Sequence, residues 1–255
     1  MGLLSEIQAS LFREGSSLET TLLKLRFLAS RIGSDVIEDW VRHEIDGYPK
    51  DVDVPIYRRT GISFLGTFTN GYQILNNAPI PLALIAEHGG NHWLTHEIRD
   101  GMGVIDSIIS RSEKNGRFSV DAANLLLLIQ GKFYKDMTCV TINGFFGIKT
   151  FVTVQSVVRA KILDLTIKLE KDVPEAREIT LSEKVGALTP TAVAAANSAA
   201  QSVVYNVTGP FTQITNSGQV GGITVNVAQG NIESLISELV ANGMNRPGFA
   251  GGCLV

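Results

Sequence analysis

The sequence predicts an α+β fold: a helix-rich N-terminal domain with a few irregular strands, then a small β-hairpin module and a short C-terminal helix. Three observations predict it. Apolar residues recur at helical spacing around residues 3–13, 18–32, 36–45, 104–110 and 150–171. Strand-like segments near 62–68, 91–98 and 137–148 are scattered among these helices rather than alternating regularly with them. Finally, residues 186–232 contain no Asp, Glu, Lys or Arg, in a chain otherwise rich in charge.

The elements follow in order. Leu3 to Arg13 reads as a helix. Ser16 or Ser17 caps the next one, with Glu19 or Thr20 in its first turn and Leu18, Leu22, Leu25, Ala29 and Ile32 as its core stripe. After Gly33, the segment IEDWVRHEIDGYPKD makes a third helix. Val36, Ile37, Trp40, Val41 and Ile45 form its apolar side, and the charges are expected on a solvated face. Glu38–Arg42, Asp39–His43 and Arg42–Asp46 are i,i+4 pairs, each stabilising a helix by roughly 0.2–0.5 kcal/mol. Gly47 and Pro49 end it.

Ile62, Phe64, Thr67 and Phe68, with glycines at 61, 66 and 71, predict a strand that bends or bulges. Pro79 and Pro81 in NNAPIPLALI force an extended or turning path. A second strand is expected over Asn91 to Ile98, and a short helix over Val104 to Ser110. Asp121 is expected to cap a helix through ANLLLLIQGKFY, whose four leucines predict burial on more than one side. Met137 to Ile148 reads as a strand with Gly144 and Gly147 as bend points. The helix from about Thr150 to Lys171 turns Phe151, Val154, Val158, Ile162, Leu165 and Leu169 inward.

A boundary is placed near residue 175, where a charged stretch contains Pro174. The expected organisation is a domain over 1–175, a linker and Ala-rich helix over 176–202, an uncharged β module over 203–228, a short amphipathic helix over 229–243 and a flexible tail over 244–255. Thr189-Pro190 starts the Ala-rich helix, with Thr as cap and Pro in the first turn. Tyr205 and Val207 then alternate with polar residues, as do Ile223, Val225 and Val227, which is period two. Asn231 caps the last helix, which carries Leu235, Ile236, Leu239 and Val240.

Composition excludes several classes. The chain has 255 residues, 44% of them hydrophobic, enough for one good core with or without a small second module. A net charge of −3 provides no basic nucleic-acid footprint. Cys139 and Cys253 give neither metal spacing nor a disulfide framework, which suits a reducing cytosol. The N-terminus lacks the basic and long apolar regions of a signal peptide, and there is no apolar run of about 18 residues to cross a membrane as a helix.

The motifs LLSEIQASLFREGSSL, LKLRFLASRIGSD, EDWVRHEIDGYP, NNAPIP and LIQGKFY occur in this order. Together they resemble the AbiTii domain of bacterial abortive-infection proteins, over roughly residues 3–175. The resemblance implies a bacterial, intracellular protein of anti-phage defence. It implies no catalytic residue.

The candidate sites are few. His88, His92 and His96 are spaced by four between Glu87 and Glu97, but Gly89, Gly90 and Asn91 interrupt any helix there. On a strand, His92 and His96 would lie about 13 Å apart, too far for one ion. No metal site is therefore expected. There is no nucleophile elbow, no phosphate-binding glycine loop and no cofactor motif, and Cys139 in MTCVTI reads as a buried core thiol. Arg42, His43 and Glu44, with Lys132, Tyr134 and Lys135 of GKFYKD, are the candidates for binding a partner. The competing readings are a solvated helix face for the first group and a helix C-terminus for the second.

The uncharged segment is the most informative. Its strands carry no charge to guard an edge, and a lone hairpin of this kind is marginal, so it needs a partner. Tyr205, Val207, Ile223, Val225, Val227, Leu235 and Leu239 are assigned to homo-oligomerisation. The expected function is a self-assembling sensor, effector or scaffold of abortive infection that acts through protein–protein contacts, triggered by a phage or host protein in the bacterial cytoplasm. The alternatives are a membrane-permeabilising effector that inserts the uncharged hairpin on activation, and packing of the segment on the chain's own N-terminal domain. A hydrolase or nuclease has no motif behind it.

Overall fold

Three helices open the chain, and each boundary has a local cause. The first, α1 (Leu3–Phe12), buries Leu3, Leu4, Ile7 and Leu11. In α2 (Leu18–Ile32) the Ser17 hydroxyl accepts the Thr20 amide, and Gly33 closes the helix at φ 80°. In α3 (Asp35–Asp46) the Ser34 hydroxyl accepts the Ile37 amide, and Gly47 ends it at φ 94°. A β-carbon at Gly47 would also sit 2.6 Å from the carbonyl oxygen of Arg99, so no larger side chain fits. The computed structural model describes residues 2–13, 15–112, 116–132, 134, 136–181 and 188–205.

Among the described residues the further α-helices and strands are β1 (Arg59–Gly61), β2 (Ser63–Thr69), β3 (Ile74–Ile80), α4 (Leu82–Gly89), β4 (Thr95–Glu97), α5 (Met102–Arg111), β5 (Arg117–Asp121), α6 (Leu125–Ile129), β6 (Thr138–Gly147), α7 (Lys149–Asp172) and α8 (Pro190–Val204). Helices dominate and the strands pair antiparallel, so the fold is α+β. β1 pairs with β4, and the other strands form a sheet in the order β3-β2-β6-β5. The expected bulge in β2 is present, with register shifts between Gly66 and Phe68 against β3 and between Thr67 and Phe68 against β6.

Two apolar clusters hold the fold. The helical cluster centres on α7, whose Phe151, Val154, Val158, Ile162, Leu165 and Leu169 are all buried as the sequence predicts. The sheet cluster packs Phe64, Phe68, Ala78, Ile80, Cys139 and Ile142 against Ile85 of α4 and Leu125 and Ile129 of α6. Phe146, Phe118 and Phe151 form an aromatic contact at the seam between sheet and helices, with centroids 4.9–5.7 Å apart.

Register places Ile74, Thr69 and Thr138 in one row across the opposite sheet face, then Pro79, Leu65, Asn143 and Asp121, then Ser63, Phe145 and Ser119. Most of these side chains are exposed; Leu65, Thr69 and Phe145 are half-buried.

Several expectations are corrected. Of the leucine run, only Leu125 is fully buried; Leu127 is 85% and Leu128 47% exposed, because α6 has a single inward edge against the sheet. Asp121 accepts the Ala123 amide in a local turn instead of capping a long helix, and it belongs to β5, a strand the sequence reading missed. The extended path expected at Pro79 and Pro81 is present: Pro79 lies in β3, and Pro81, extended at φ −61° and ψ 131°, precedes the first residue of α4. Asn91 to Leu94 form a 3-10 turn, so only Thr95–Glu97 are strand. The Ala-rich helix exists, with Thr189 as cap and Pro190 at its start. It is not part of a linker, however: Ala192, Ala196, Ala199, Ala200 and Val204 are buried in the helical cluster. Small side chains let α8 approach α7 and α3 closely.

Candidate functional site

The most concentrated polar chemistry among the described residues lies under α3. Glu44 and Arg58 are both fully buried, and their ion pair measures 2.6 Å. The Glu44 carboxylate also accepts the hydroxyls of Tyr48 at 2.7 Å and Tyr57 at 2.6 Å, and the Arg58 Nε–H at 3.4 Å. Arg58 Nη1 donates to the carbonyls of Ile98 and Asp100, and its guanidinium carbon lies 4.8 Å from the Tyr48 ring centroid. Trp40 Nε1 donates to the Tyr57 hydroxyl.

Local structure sets these positions. Glu44 lies three residues beyond Val41, four beyond Trp40 and seven beyond Ile37, so it shares their buried stripe. Arg58 arrives on the 3-10 turn Ile56–Arg58, and the Ile98 amide donates to the Arg58 carbonyl. The Tyr48–Val52 turn is held by Arg99, whose guanidinium donates to the carbonyls of Tyr48, Pro49 and Val52 and pairs with Glu97.

Electrostatics keeps the cluster in one protonation state. Burial, and then the negative charge of Glu44, push both tyrosine hydroxyls well above their usual range, so they remain donors. Burial alone would lower the Arg58 pKa, but the charge and hydrogen bonds of Glu44 outweigh it and the net direction is upward. With four donors on one carboxylate, this is a closed structural knot that ties α3 to the Tyr48 turn, the Arg58 turn and the Ile98–Asp100 segment.

The candidate binding residues of α3 therefore separate. Arg42 is exposed and pairs with Asp39 at 2.8 Å, an i,i+3 contact rather than the expected i,i+4 pairs. His43 is half-buried and stacks on Tyr48 with centroids 5.2 Å apart. The expectation of a solvated face fails for Glu44, whose carboxylate is closed to any partner by burial and by its four donors. Lys132 is exposed, past the end of α6, and Tyr134 packs edge-on against Phe68 at 4.7 Å. Lys135 lies outside the described residues, as do Val207, Ile223, Val225, Val227, Leu235, Leu239 and Cys253. Tyr205, at the end of α8, is 56% exposed.

The three spaced histidines fall on different elements. His88 is in the last turn of α4, His92 is in the 3-10 turn, and His96 is in β4. His96 stacks on Phe146 at 5.0 Å; burial lowers its pKa, against the opposing charges of Asp100 and Glu97. Cys139 is buried, and burial raises its thiol pKa. No group of three potential metal ligands occurs among the described residues. A cavity of about 310 Å³ opens on the outer sheet face beside Leu65, Arg117 and Phe145. Another, of about 570 Å³, lies between the α1–α2 turn and α5, lined by Ser16, Ser17, Asp106, Ser110, Arg111 and Arg159.

A second polar clamp reaches α8. Lys161 Nζ donates to the carbonyls of Val203 at 2.6 Å and Val204 at 3.2 Å, where the helix dipole is negative, and it lies over the Tyr57 ring at 5.5 Å. Burial lowers its pKa, against the charges of Asp164 and Glu44. The sequence reading missed Arg58, Tyr57 and Lys161.

A family model described as AbiTii matches residues 2–189. The chain belongs to the AbiTii family. The family name points to an abortive-infection role against phage. The AbiTii match runs past the expected boundary near 175 and stops one residue before α8 begins. Comparison with curated proteins and with solved structures returns no match. No helix among the described residues is long and apolar enough to cross a membrane.

Proposed function

We propose that this AbiTii protein acts in abortive infection through protein–protein contacts, as a self-assembling sensor or effector that responds to a phage or host protein. The observation that supports this reading is apolar surface gathered at one end of the four-stranded sheet. Tyr72 is 96%, Ile74 67% and Val140 51% exposed. Tyr72 and Ile74 belong to the β2–β3 turn and the start of β3; Val140 belongs to the start of β6, close to the Thr69–Thr138 pairing. Exposed apolar patches mark interaction surfaces. Self-assembly rests on the uncharged, period-two sequence over 203–228.

The test uses the full chain. A Tyr72→Ser, Ile74→Ser variant should stay folded and lose phage protection, and Val225→Lys should reduce the multimer to smaller species by mass measurement. Full protection by the first variant, together with a monomeric unmodified chain, would overturn the proposal. Dye release from liposomes by the intact chain, abolished by Val225→Lys, would replace it with the membrane-permeabilising alternative.

A further inference from the structure

The two edges of the four-stranded sheet are not alike. On the β3 edge, Pro79 lacks an amide proton and Asn77 sits at φ 52°, so that edge cannot extend a regular ladder. The β5 edge, Arg117-Phe118-Ser119-Val120-Asp121, has neither device. Its register with β6 is unbroken from Arg117↔Gly147 to Asp121↔Asn143. The Ile148 amide donates to the Gly116 carbonyl, so Gly116, Phe118 and Val120 turn their backbone groups toward β6. Arg117, Ser119 and Asp121 therefore turn theirs outward. All three are exposed, and among the described residues Arg117 makes no ion pair.

The side chains along this edge read positive, apolar, polar, apolar, negative. Charges usually guard an edge against association. Here they are placed antisymmetrically about Ser119, which makes the strand complementary to itself. In an antiparallel pair of β5 strands centred on Ser119, Arg117 of each copy faces Asp121 of the other, and Phe118 faces Val120. Ser119 faces Ser119. Every outward-turned residue then meets another outward-turned residue, the condition for exchanging backbone hydrogen bonds. The carboxylate of Asp121 uses one oxygen for the Ala123 amide at 2.9 Å, leaving the other for the guanidinium.

We propose that β5 is a two-fold interface on which a second copy of this chain docks, joining two four-stranded sheets into one continuous sheet. This goes beyond the function proposed above, because it places an interface in the N-terminal domain and does not require residues 203–228. It is an isologous contact, so it closes at two copies and supplies a dimer from which higher assembly can start.

The experiment uses the full chain with Cys253→Ser, leaving Cys139 buried in place. Ser119→Cys puts a thiol on the proposed axis, where facing α-carbons in a hydrogen-bonded pair lie about 5.5 Å apart, within disulfide reach. Mild oxidation should give a covalent dimer on a non-reducing gel. Ser63→Cys is the control: in register with Phe145 and Ser119, it would lie five strand spacings, about 24 Å, from its copy and should not cross-link. Adding Arg117→Asp to Ser119→Cys sets like charges opposite each other twice by symmetry, and should cut cross-linking about tenfold or more. Adding both Arg117→Asp and Asp121→Arg restores opposite charges and should restore the dimer. Equal cross-linking at Ser63 and Ser119, or no rescue by the double swap, overturns the proposal. Cross-linking that persists with Val225→Lys would uphold this interface whatever the C-terminal segment does. A multimer lost with Val225→Lys but never cross-linked through Ser119 would overturn this interface alone.

Discussion

Removing Glu44 should cost far more than removing Arg42, although the two are neighbours but one on the same helix. Glu44→Ala strips four donors of their acceptor: the hydroxyls of Tyr48 and Tyr57 and two guanidinium nitrogens of Arg58. Among the described residues the guanidinium keeps hydrogen bonds to the carbonyls of Ile98 and Asp100 and its place over the Tyr48 ring, and it has no exposed surface through which water could compensate. Breaking a buried ion pair from one side typically costs about 3–5 kcal/mol, because the remaining charge is stranded. Arg42 and Asp39 have side chains 49% and 58% exposed, and such pairs are worth about 0–1 kcal/mol after screening by solvent. Domains of this kind are stable by about 5–15 kcal/mol, so the Glu44 variant should retain a folded baseline with a much lower midpoint. Equilibrium urea denaturation followed by tryptophan fluorescence reads both, since Trp40 donates into the network. Replacing Glu44 and Arg58 together by Met should cost less than the sum of the single losses, because neither charge is left unpaired. A loss below about 1 kcal/mol for Glu44→Ala, or strict additivity in the double variant, would refute the claim that this knot holds the α3 side of the fold.

Three further outcomes follow from the same contacts. His96 takes up its proton less readily folded than unfolded, so stability contributed by its neutral form is present above the unfolded pKa of about 6.5 and is lost as pH falls below it; His96→Phe, which keeps the stack on Phe146, should flatten that part of the stability–pH curve, and an unchanged slope would exclude His96 as its source. Lys161→Met should accelerate amide exchange in the last turn of α8 while leaving α7 protected, as read by hydrogen-exchange mass spectrometry, because two terminal carbonyls lose their donor. Trp40→Ala should cost about 3–5 kcal/mol and His43→Ala about 1 kcal/mol or less, since one fills the core and the other stacks at its margin; the reverse ranking in thermal melts would mean the two faces of α3 are misassigned.

Sequence alone determined the features that depend on neighbours within a turn or two. Ser17, Ser34 and Thr189 accept amides three residues on, and Gly33 and Gly47 adopt the positive φ that a helix exit needs. The stripe of α7 was legible because burial repeats along one face for about five turns, from Phe151 to Leu169. Ordered motifs identified the family without any coordinates. Glu44 was legible in principle, since its spacing from Ile37, Trp40 and Val41 puts it on the buried stripe; a carboxylate, however, is assigned to water unless its counter-ion is in view. That counter-ion, Arg58, is fourteen residues away on a turn fixed by backbone contacts with Ile98, forty residues further on. The leucines of α6 show the opposite limit. Their apolarity is plain, yet only the sheet beneath them decides that Leu125 is buried and Leu127 exposed. Strand order is of the same kind: β5 is short and polar on alternate positions, and it became an edge only when β6, more than twenty residues later, paired with one side of it, leaving the other side without a neighbouring strand among the described residues. Local hydrogen bonds and periodicity are written in consecutive residues. Pairing partners, buried charges and open edges are set by which distant segments the collapse of the core brings together.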